Sequence, residues 1–397
     1  MFNLTAVQNA ISSLGFDGWL LYDFRGLNML ARRIIGLSDD LMLSRRWFYF
    51  VPAKGEPRKL VHKIEPHALD HLPGQVQAYL RWQELEAGVQ NLVAGFKKVA
   101  MEYVPRNANP YVSRVDAGTV ELVRSFGVEV LPSGDLVQMF EACWDDEQWA
   151  MHLEAAQHTR SAYDVAFGFI ADRVRRQGSV RETEVQQCIM DHFQKHHLVA
   201  DHPPLCAVGP HSGDPHYSPG PQSDGTIKEG DFVLIDLWAK LDRPRSVYSD
   251  LTWTGFVGKE VPERYTKIFE IVARARDAAI NKIQEAFRSR IPLQGWQVDQ
   301  AARAVIEQAG YGQYFFHRTG HSIGQEIHGN GANMDNLETR EDRRVLPRTC
   351  FSVEPGIYLP EFGVRSEVNV FVDKDEKVHV TGGPPQTEVV AILKKYG

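Results

Sequence analysis

The sequence predicts an α/β domain over residues 1–145, followed by a larger domain of mixed helices and strands over 146–397. Three observations carry that reading. In the first segment short β-prone apolar runs alternate with helical patterns. At Trp144-Asp145-Asp146-Glu147 the pattern changes to one long helical stretch with few breakers. Beyond that point nearly every candidate reactive side chain falls on strands and turns rather than on helices.

The strand candidates of the first segment are Trp19–Tyr22, Trp47–Val51, Lys59–Val61, Val76–Tyr79, Val99–Tyr103 and Val128–Leu131. Gln83–Phe96 and Ala117–Phe126 space their apolar residues by three and four, as amphipathic helices do. Arg45-Arg46-Trp47-Phe48-Tyr49-Phe50 reads as a buried strand with a basic lead-in. His62, His67 and His71 are too far apart for a zinc site and read as structural or surface residues.

In the second segment a helix is expected from Glu147 to about Arg176, with Asp145 or Asp146 as its cap. Further helices are expected at Arg181–His196, Glu263–Phe287 and Gln297–Ala309, the last ended by Gly310. Between them, Phe232 to Ile235 lead into Asp236, and a turn-like Leu241-Asp242-Arg243-Pro244-Arg245 precedes a second β-prone run, Val247–Phe256. This is a hairpin pattern, and it brings Asp236 and Asp250, fourteen positions apart, into one space. Adjacent carboxylates repel unless a proton or a cation lies between them.

Composition restricts the partners. With 43% hydrophobic and 24% charged residues the chain can bury sizeable cores. A formal charge of −7 without a basic block gives a nucleic-acid surface no support. No apolar run reaches the roughly eighteen residues of a membrane span, and the N-terminus has no secretory signal pattern. Four scattered cysteines without a Cys-x-x-Cys fit buried free thiols in a reducing cytoplasm.

Five stretches hold residues suited to metal binding: Asp214-Pro215-His216-Tyr217-Ser218-Pro219, the hairpin, His317-Arg318-Thr319-Gly320-His321-Ser322-Ile323-Gly324-Gln325-Glu326-Ile327-His328, Ser352-Val353-Glu354-Pro355-Gly356-Ile357-Tyr358, and Gly363-Val364-Arg365-Ser366-Glu367-Val368. Singly each has a bland reading: a strand-ending Asp, an exposed Glu before a Pro-Gly turn, a solvent-facing Glu in a strand. Jointly, four carboxylates and a histidine form a hard-oxygen set with one nitrogen donor, suited to two divalent ions and free of thiolate.

In these residues the chain resembles the pita-bread-fold metallopeptidases, which include prolidase, Xaa-Pro aminopeptidase and methionine aminopeptidase. The matching elements are Asp236, Ser249-Asp250-Leu251-Thr252, Gly320-His321-Ser322-Ile323-Gly324, Glu354-Pro355-Gly356 and Arg365-Ser366-Glu367, in family order. With a creatinase- or prolidase-like first domain, the resemblance spans nearly the whole chain. It implies metal ligands at Asp236, Asp250, His321, Glu354 and Glu367 for two divalent cations, manganese first, with zinc or cobalt as alternatives. It also implies a homodimer acting on small peptides with proline second, most simply a Xaa-Pro dipeptidase; the cytoplasmic location is the expectation from the thiols alone. Xaa-Pro aminopeptidase action on longer peptides, or a non-peptide reaction on the same metal scaffold, are the alternatives. A creatinase-like metal-free chemistry does not suit the five retained ligand positions.

Mechanistically, the resemblance implies attack by a water held between the two ions, with Glu354 carrying its proton to the leaving nitrogen. His216 and His328 would stabilise the attacked carbonyl, and His317 would contact substrate. Strand alternation would put Arg365 on the face of Glu367, to pair with a ligand carboxylate or the substrate's C-terminus. Departures from the family pattern cluster at the hairpin: Trp238 replaces the usual Gly, Trp253 replaces an Arg, and Asp242 to Arg245 are inserted. They make substrate preference, more than metal binding, the expected point of difference.

Overall fold

The aromatic run Trp47-Phe48-Tyr49-Phe50 lies inside the first sheet, with every side chain buried. The computed structural model describes residues 2–38 and 40–397, which divide into the units Met1–Glu141 and Ala142–Gly397.

In the first unit the strands are β1 (Gly18–Asp23), β2 (Trp47–Pro52), β3 (Arg58–His62), β4 (Gln75–Tyr79), β5 (Lys98–Met101) and β6 (Glu129–Pro132). They form one mixed sheet in the order β4-β3-β2-β1-β5-β6. Its helices are α1 (Leu4–Ser13), α2 (Met29–Ile34), α3 (Trp82–Val93), α4 (Ala117–Ser125) and α5 (Gly134–Glu141). Strand alternation sends Trp19, Leu21, Trp47 and Tyr49 to a core with α1, α2 and α5. Leu20, Tyr22, Phe48 and Phe50 go to another core with α3 and α4. Burying each such side chain stabilises by roughly 1.5–3 kcal/mol. The three histidines have separate partners: His62 Nδ1 accepts from the Ile64 amide, His67 faces Asp70, and His71 meets the Ile35 carbonyl.

The second unit opens with α6 (Asp146–Gln177). Asp145 Oδ1 accepts the Gln148 amide at 2.9 Å and Gln148 Oε1 accepts the Asp145 amide at 3.2 Å, a reciprocal cap. The helix ends at Gly178, whose φ of 82° suits the left-handed turn. Next come β7 (Ser179–Arg181), α7 (Glu182–Lys195), β8 (Leu198–Val199), β9 (Leu205–Val208), β10 (Thr226–Lys228), β11 (Phe232–Leu241) and β12 (Ser249–Phe256). Helices α8 (Glu263–Arg288) and α9 (Gly295–Gln308) follow. The remaining elements are β13 (Ser322–Ile323), β14 (Cys350–Val353), β15 (Gly356–Tyr358), β16 (Gly363–Arg365), β17 (Val368–Val372), β18 (Val378–Thr381), β19 (Val390–Ala391) and α10 (Ile392–Lys395).

One sheet runs β19-β12-β11-β8 with β9 also on β11, and another runs β13-β14-β17-β18. Helices α6 and α7 cover the first, burying Ile235, Leu237 and Leu251 against Tyr163, Phe167 and Ile189. Helices α8 and α9 pack on the second through Phe269, Val272, Val298, Phe351 and Val370. Among the described residues, no helix is long and apolar enough to cross a membrane. Cys206 and Cys350 are buried free thiols, whereas Cys143 and Cys188 are only half-buried.

Candidate metal centre

Asp236 does not end its strand, as the sequence pattern had implied; β11 continues to Leu241, with Trp238 paired to Asp250 and Lys240 to Val199 of β8. In the antiparallel register Asp236 faces Thr252 and Trp238 faces Asp250. Asp236, Trp238, Asp250 and Thr252 therefore share the face opposite the α6 core, and the two carboxylates are diagonal neighbours across the ladder. On the covered side, α6 fixes this register. Tyr163 Oη donates to the Leu251 carbonyl at 2.5 Å, and Thr159 Oγ1 lies 2.8 Å from Ser249 Oγ.

His321 and Glu354 meet through a second backbone ladder. The Glu354 amide donates to the Thr319 carbonyl at 2.8 Å, the Ser352 amide to the His321 carbonyl at 2.9 Å, and the His321 amide to Ser352 Oγ at 2.9 Å. Gly320 is needed in this approach, since a Cβ there would stand 1.9 Å from the Ser352 carbonyl oxygen. His321 Nε2 consequently lies 3.4 Å from Glu354 Oε1 and 3.3 Å from Asp250 Oδ2.

Glu367 enters from a connection, not from a strand. Arg365 ends β16, Glu367 precedes β17, and its amide donates to the Thr252 carbonyl at 3.2 Å. Alternation therefore does not govern Arg365 and Glu367, yet both reach the same carboxylate group. Thr252 Oγ1 donates to Glu367 Oε2 at 2.8 Å. Asn369 holds the backbone of Asp250 from both sides, accepting its amide and donating to its carbonyl.

Ligand-type atoms of Asp250, His321 and Glu367 all lie within 4.8 Å of one another, and all three residues are buried. Asp236 Oδ1 and Glu367 Oε1 are buried with no hydrogen-bond partner. Burial and the crowding of carboxylates push Asp250 and Glu367 well above the usual carboxylate range. Burial lifts Asp236 to about 7 against the pull of Arg365. For Glu354 burial works upward, but His321, His317 and Arg365 together hold it below its ordinary value. Unsatisfied buried oxygens beside an imidazole, in a group short of positive charge, fit divalent cations with oxygen and nitrogen ligands.

Arg365 is spent inside the site. Its side chain is 3% exposed; it pairs with Asp236, donates Nε to Thr252 Oγ1 at 3.0 Å and donates to Tyr358 Oη at 3.1 Å. Tyr358 Oη in turn lies 2.7 Å from His317 Nε2, and His317 Nδ1 lies 2.7 Å from the Arg318 carbonyl. A carbonyl only accepts, so Nδ1 carries the proton and Nε2 accepts from the tyrosine. Burial also holds His317 down at about 4, hence neutral. Arg365 thus pairs with a ligand carboxylate, one of the two roles expected of it, and Tyr358 links it to His317; both Arg365 and His317 also line the cleft above the cluster.

A cleft of 540 Å³ opens onto the cluster, and His216, His328, Trp238 and Asp201 also line it. His328 packs edge-on to His321 with ring centroids 4.4 Å apart, and burial lowers it to about 4. His216 is exposed on its loop, where its amide donates to Asp214. The two unusual tryptophans part company. Trp238 lines the cleft, whereas Trp253 packs behind the sheet between Tyr163 and the Arg160 guanidinium, 4.0 Å above its ring. The inserted turn also points away: Arg243 pairs with Glu154, and Arg245 with Asp145 and Glu147 of the α6 region. The expectation that all three departures bear on substrate thus narrows to Trp238. Sequence reasoning gave no role to Tyr358, Thr252, Asn369 or Asp201; Tyr358 lies two residues past Glu-Pro-Gly, Thr252 closes the Ser-Asp-x-Thr motif, and the other two carry no short-motif signal.

A paired-carboxylate and histidine cluster on a sheet face, under a solvent-open cleft, is the layout of a hydrolytic metal centre. Residues 150–374 match metallopeptidase family M24. A Bacillus subtilis relative, the candidate dipeptidase YkvY, is 32% identical over 288 residues, spanning 70% of this chain and 73% of the relative. The Xaa-Pro dipeptidase of Lactobacillus delbrueckii is 29% identical over 223 residues, 56% of this chain and 55% of its own. Among solved structures, the dipeptidase PepE of Mycobacterium ulcerans superposes with a TM-score of 0.65 at 22% identity, covering 98% of this chain and 96% of that one. The X-Pro aminopeptidase of Thermotoga maritima does so with a TM-score of 0.55 at 19% identity, covering 96% and 99%. At such identities the structural likeness is one of fold, the two-domain pita-bread architecture. The chain belongs to metallopeptidase family M24.

Proposed function

We propose that this chain hydrolyses the peptide bond before proline as a metal-dependent Xaa-Pro dipeptidase. The observation that carries the proposal is the buried Asp250, His321 and Glu367 group with the orphaned oxygens of Asp236 and Glu367, in a chain of this family. The name of the Lactobacillus relative supports the substrate class. Xaa-Pro aminopeptidase action on longer peptides is the second reading, favoured by the fold shared with the Thermotoga enzyme. Asp236, Asp250, His321, Glu354 and Glu367 would hold two divalent ions, with manganese our first choice and zinc or cobalt the alternatives.

When bound, such ions polarise the scissile carbonyl and make a bound water acidic enough to ionise near neutral pH. The chain's own residues then have separable tasks. Glu354, ionised because His321, His317 and Arg365 outweigh its burial, can accept the attacking water's proton and deliver it to the proline nitrogen. His328, neutral at working pH, presents an N–H toward the carbonyl oxygen as charge develops there, and His216 approaches from the cleft's loop side. Arg365 holds the Asp236 carboxylate in one orientation, and Tyr358 and His317 buttress Arg365. Residues 1–145 would form a creatinase/prolidase-type domain ahead of the catalytic domain, in a cytoplasmic homodimer.

The test is hydrolysis of an Xaa-Pro dipeptide beside an Xaa-Pro-Xaa tripeptide, after chelation and with manganese, zinc or cobalt added back. Dipeptide cleavage with a poor tripeptide rate supports the dipeptidase; the reverse supports the aminopeptidase; no cleavage with any metal refutes both. Asp250→Ala and Glu367→Ala should lose metal content and activity together. A variant keeping full metal occupancy would overturn the ligand assignment.

A further inference from the structure

Two carboxylates lining the cleft, Asp201 and Glu338, are not part of the ligand group, and Asp201 is the one held by Trp238. Asp201 lies in the loop between β8 and β9, and both strands pair with β11: β8 at Lys240 and Leu241, β9 at Val233 to Asp236. The loop is thereby fastened on either side of Trp238, which faces Asp250 in the register. Trp238 Nε1 donates to Asp201 Oδ1 at 2.6 Å, and His202 Nδ1 lies 3.3 Å from Oδ2. These contacts outweigh partial burial and hold Asp201 below its usual value, so it is ionised at neutral pH. It lines the same cleft as Asp250, His328 and Glu354, which places it within reach of the reacting centre. Nearby Lys240 spends its ammonium on the Gln325 carbonyl at 2.5 Å and on the Tyr248 ring.

The side chain remains 41% exposed. Each carboxylate oxygen has two acceptor sites, so the indole and imidazole leave capacity open to the cleft. An oriented anion at the wall of a cleft selects for positive charge in what binds there. In a peptide whose carbonyl sits at the metal ligands, the two cationic possibilities close to that carbonyl are the α-ammonium and a basic side chain on the first residue.

We propose that Asp201, oriented by Trp238, is an anionic subsite that binds a cationic group of the peptide's first residue. This rests on the peptidase reading above. The test compares kcat/KM in the metal-loaded wild type and Asp201→Asn for two substrate pairs. Lysyl-proline against norleucyl-proline isolates the side-chain charge; alanyl-proline against lactoyl-proline, with hydroxyl in place of ammonium, isolates the α-ammonium. One of the two ratios should fall about tenfold in the variant, the scale of one charge-assisted contact, and which one falls identifies the group. If the side chain is the source, Asp201→Lys should shift preference from lysyl-proline toward glutamyl-proline. Ratios unchanged in an active Asp201→Asn enzyme with a wild-type melting temperature overturn the subsite alone. A wild type that cleaves neither these four nor the Xaa-Pro-Xaa tripeptide overturns the peptidase reading and the subsite with it.

Discussion

The helix that backs the metal-site hairpin carries a histidine whose burial makes stability depend on pH in a definite direction. His152 on α6 is wholly enclosed, with its ring 5.1 Å from that of Trp144 and 5.7 Å from that of Trp149. Its Nδ1 lies 2.8 Å from the Tyr248 carbonyl and its Nε2 lies 2.7 Å from Thr381 Oγ1. Both nitrogens are used by a neutral ring: Nδ1–H donates to the carbonyl and Nε2 accepts the threonine hydroxyl. Burial lowers the group from 6.5 to about 4. Above pH 6.5 folded and unfolded chains both carry it neutral. Below that the unfolded chain takes up a proton that the folded chain refuses until about pH 4, so stability falls across this window. At about 1.4 kcal/mol per unit the loss amounts to roughly 3 kcal/mol. Urea unfolding of wild type and His152→Gln at pH 7.5 and 4.5 isolates it, because every other titrating group is common to both proteins. The wild-type advantage over the variant should shrink by about 3 kcal/mol on acidification. An advantage that stays constant, or grows, would refute the assignment of a buried neutral imidazole.

Three further outcomes follow from the contacts. Arg365→Lys keeps the charge but cannot reach Asp236, Thr252 and Tyr358 together, so metal affinity, measured by titration of the chelated protein, should fall about 10–100-fold. Trp253→Ala should lower the unfolding free energy by about 3 kcal/mol through lost packing on Tyr163 and Arg160, while the relative rates on different first residues stay as in wild type. Asp299→Asn breaks a buried pair with Arg303, whose guanidinium also holds the Phe315 and His317 carbonyls. It should cost about 3 kcal/mol in chemical denaturation.

Much of this architecture could be read from residue order because periodicity and local chemistry agree. The long α6 pattern carries its own cap in Asp145 and Gln148, and the paired runs around the Asp242 to Arg245 turn do form a hairpin. Short helices were harder: α2 has only six residues, and the capping of α1 and α2 by Asn3 and Asn28 involves single side chains outside any apolar period. In the site, motifs named the carboxylates and two of their supports, Thr252 and Arg365, but neither Asn369 nor Tyr358, nor which carboxylate each support would hold. Asn369 acts on the backbone of Asp250 from 119 positions away, and Arg365 reaches Asp236 across 129. No local pattern encodes such distances. Trp238 and Trp253 looked equivalent as departures because both lie next to ligands in sequence. They separate only in the ladder, where Trp238 pairs with Asp250 on the open face and Trp253 with Ile235 on the covered one.

That ladder also explains why the site is costly without cations. Its register gathers Asp236 and Asp250 on one face, and the connections after β14 and β16 add Glu354 and Glu367, so four carboxylates stand against the single guanidinium of Arg365. The cores behind the sheet resist any spreading of this group, since Leu237 and Leu251 are fixed under α6. With the backbone unable to yield, the excess negative charge is relieved either by protons, as the raised Asp236, Asp250 and Glu367 indicate, or by metal. Divalent cations relieve it without neutralising the ligands, and the free energy of binding them then becomes folding free energy for the hairpin. The same apolar face that makes the strands fold is therefore what keeps the carboxylates close enough to need metal.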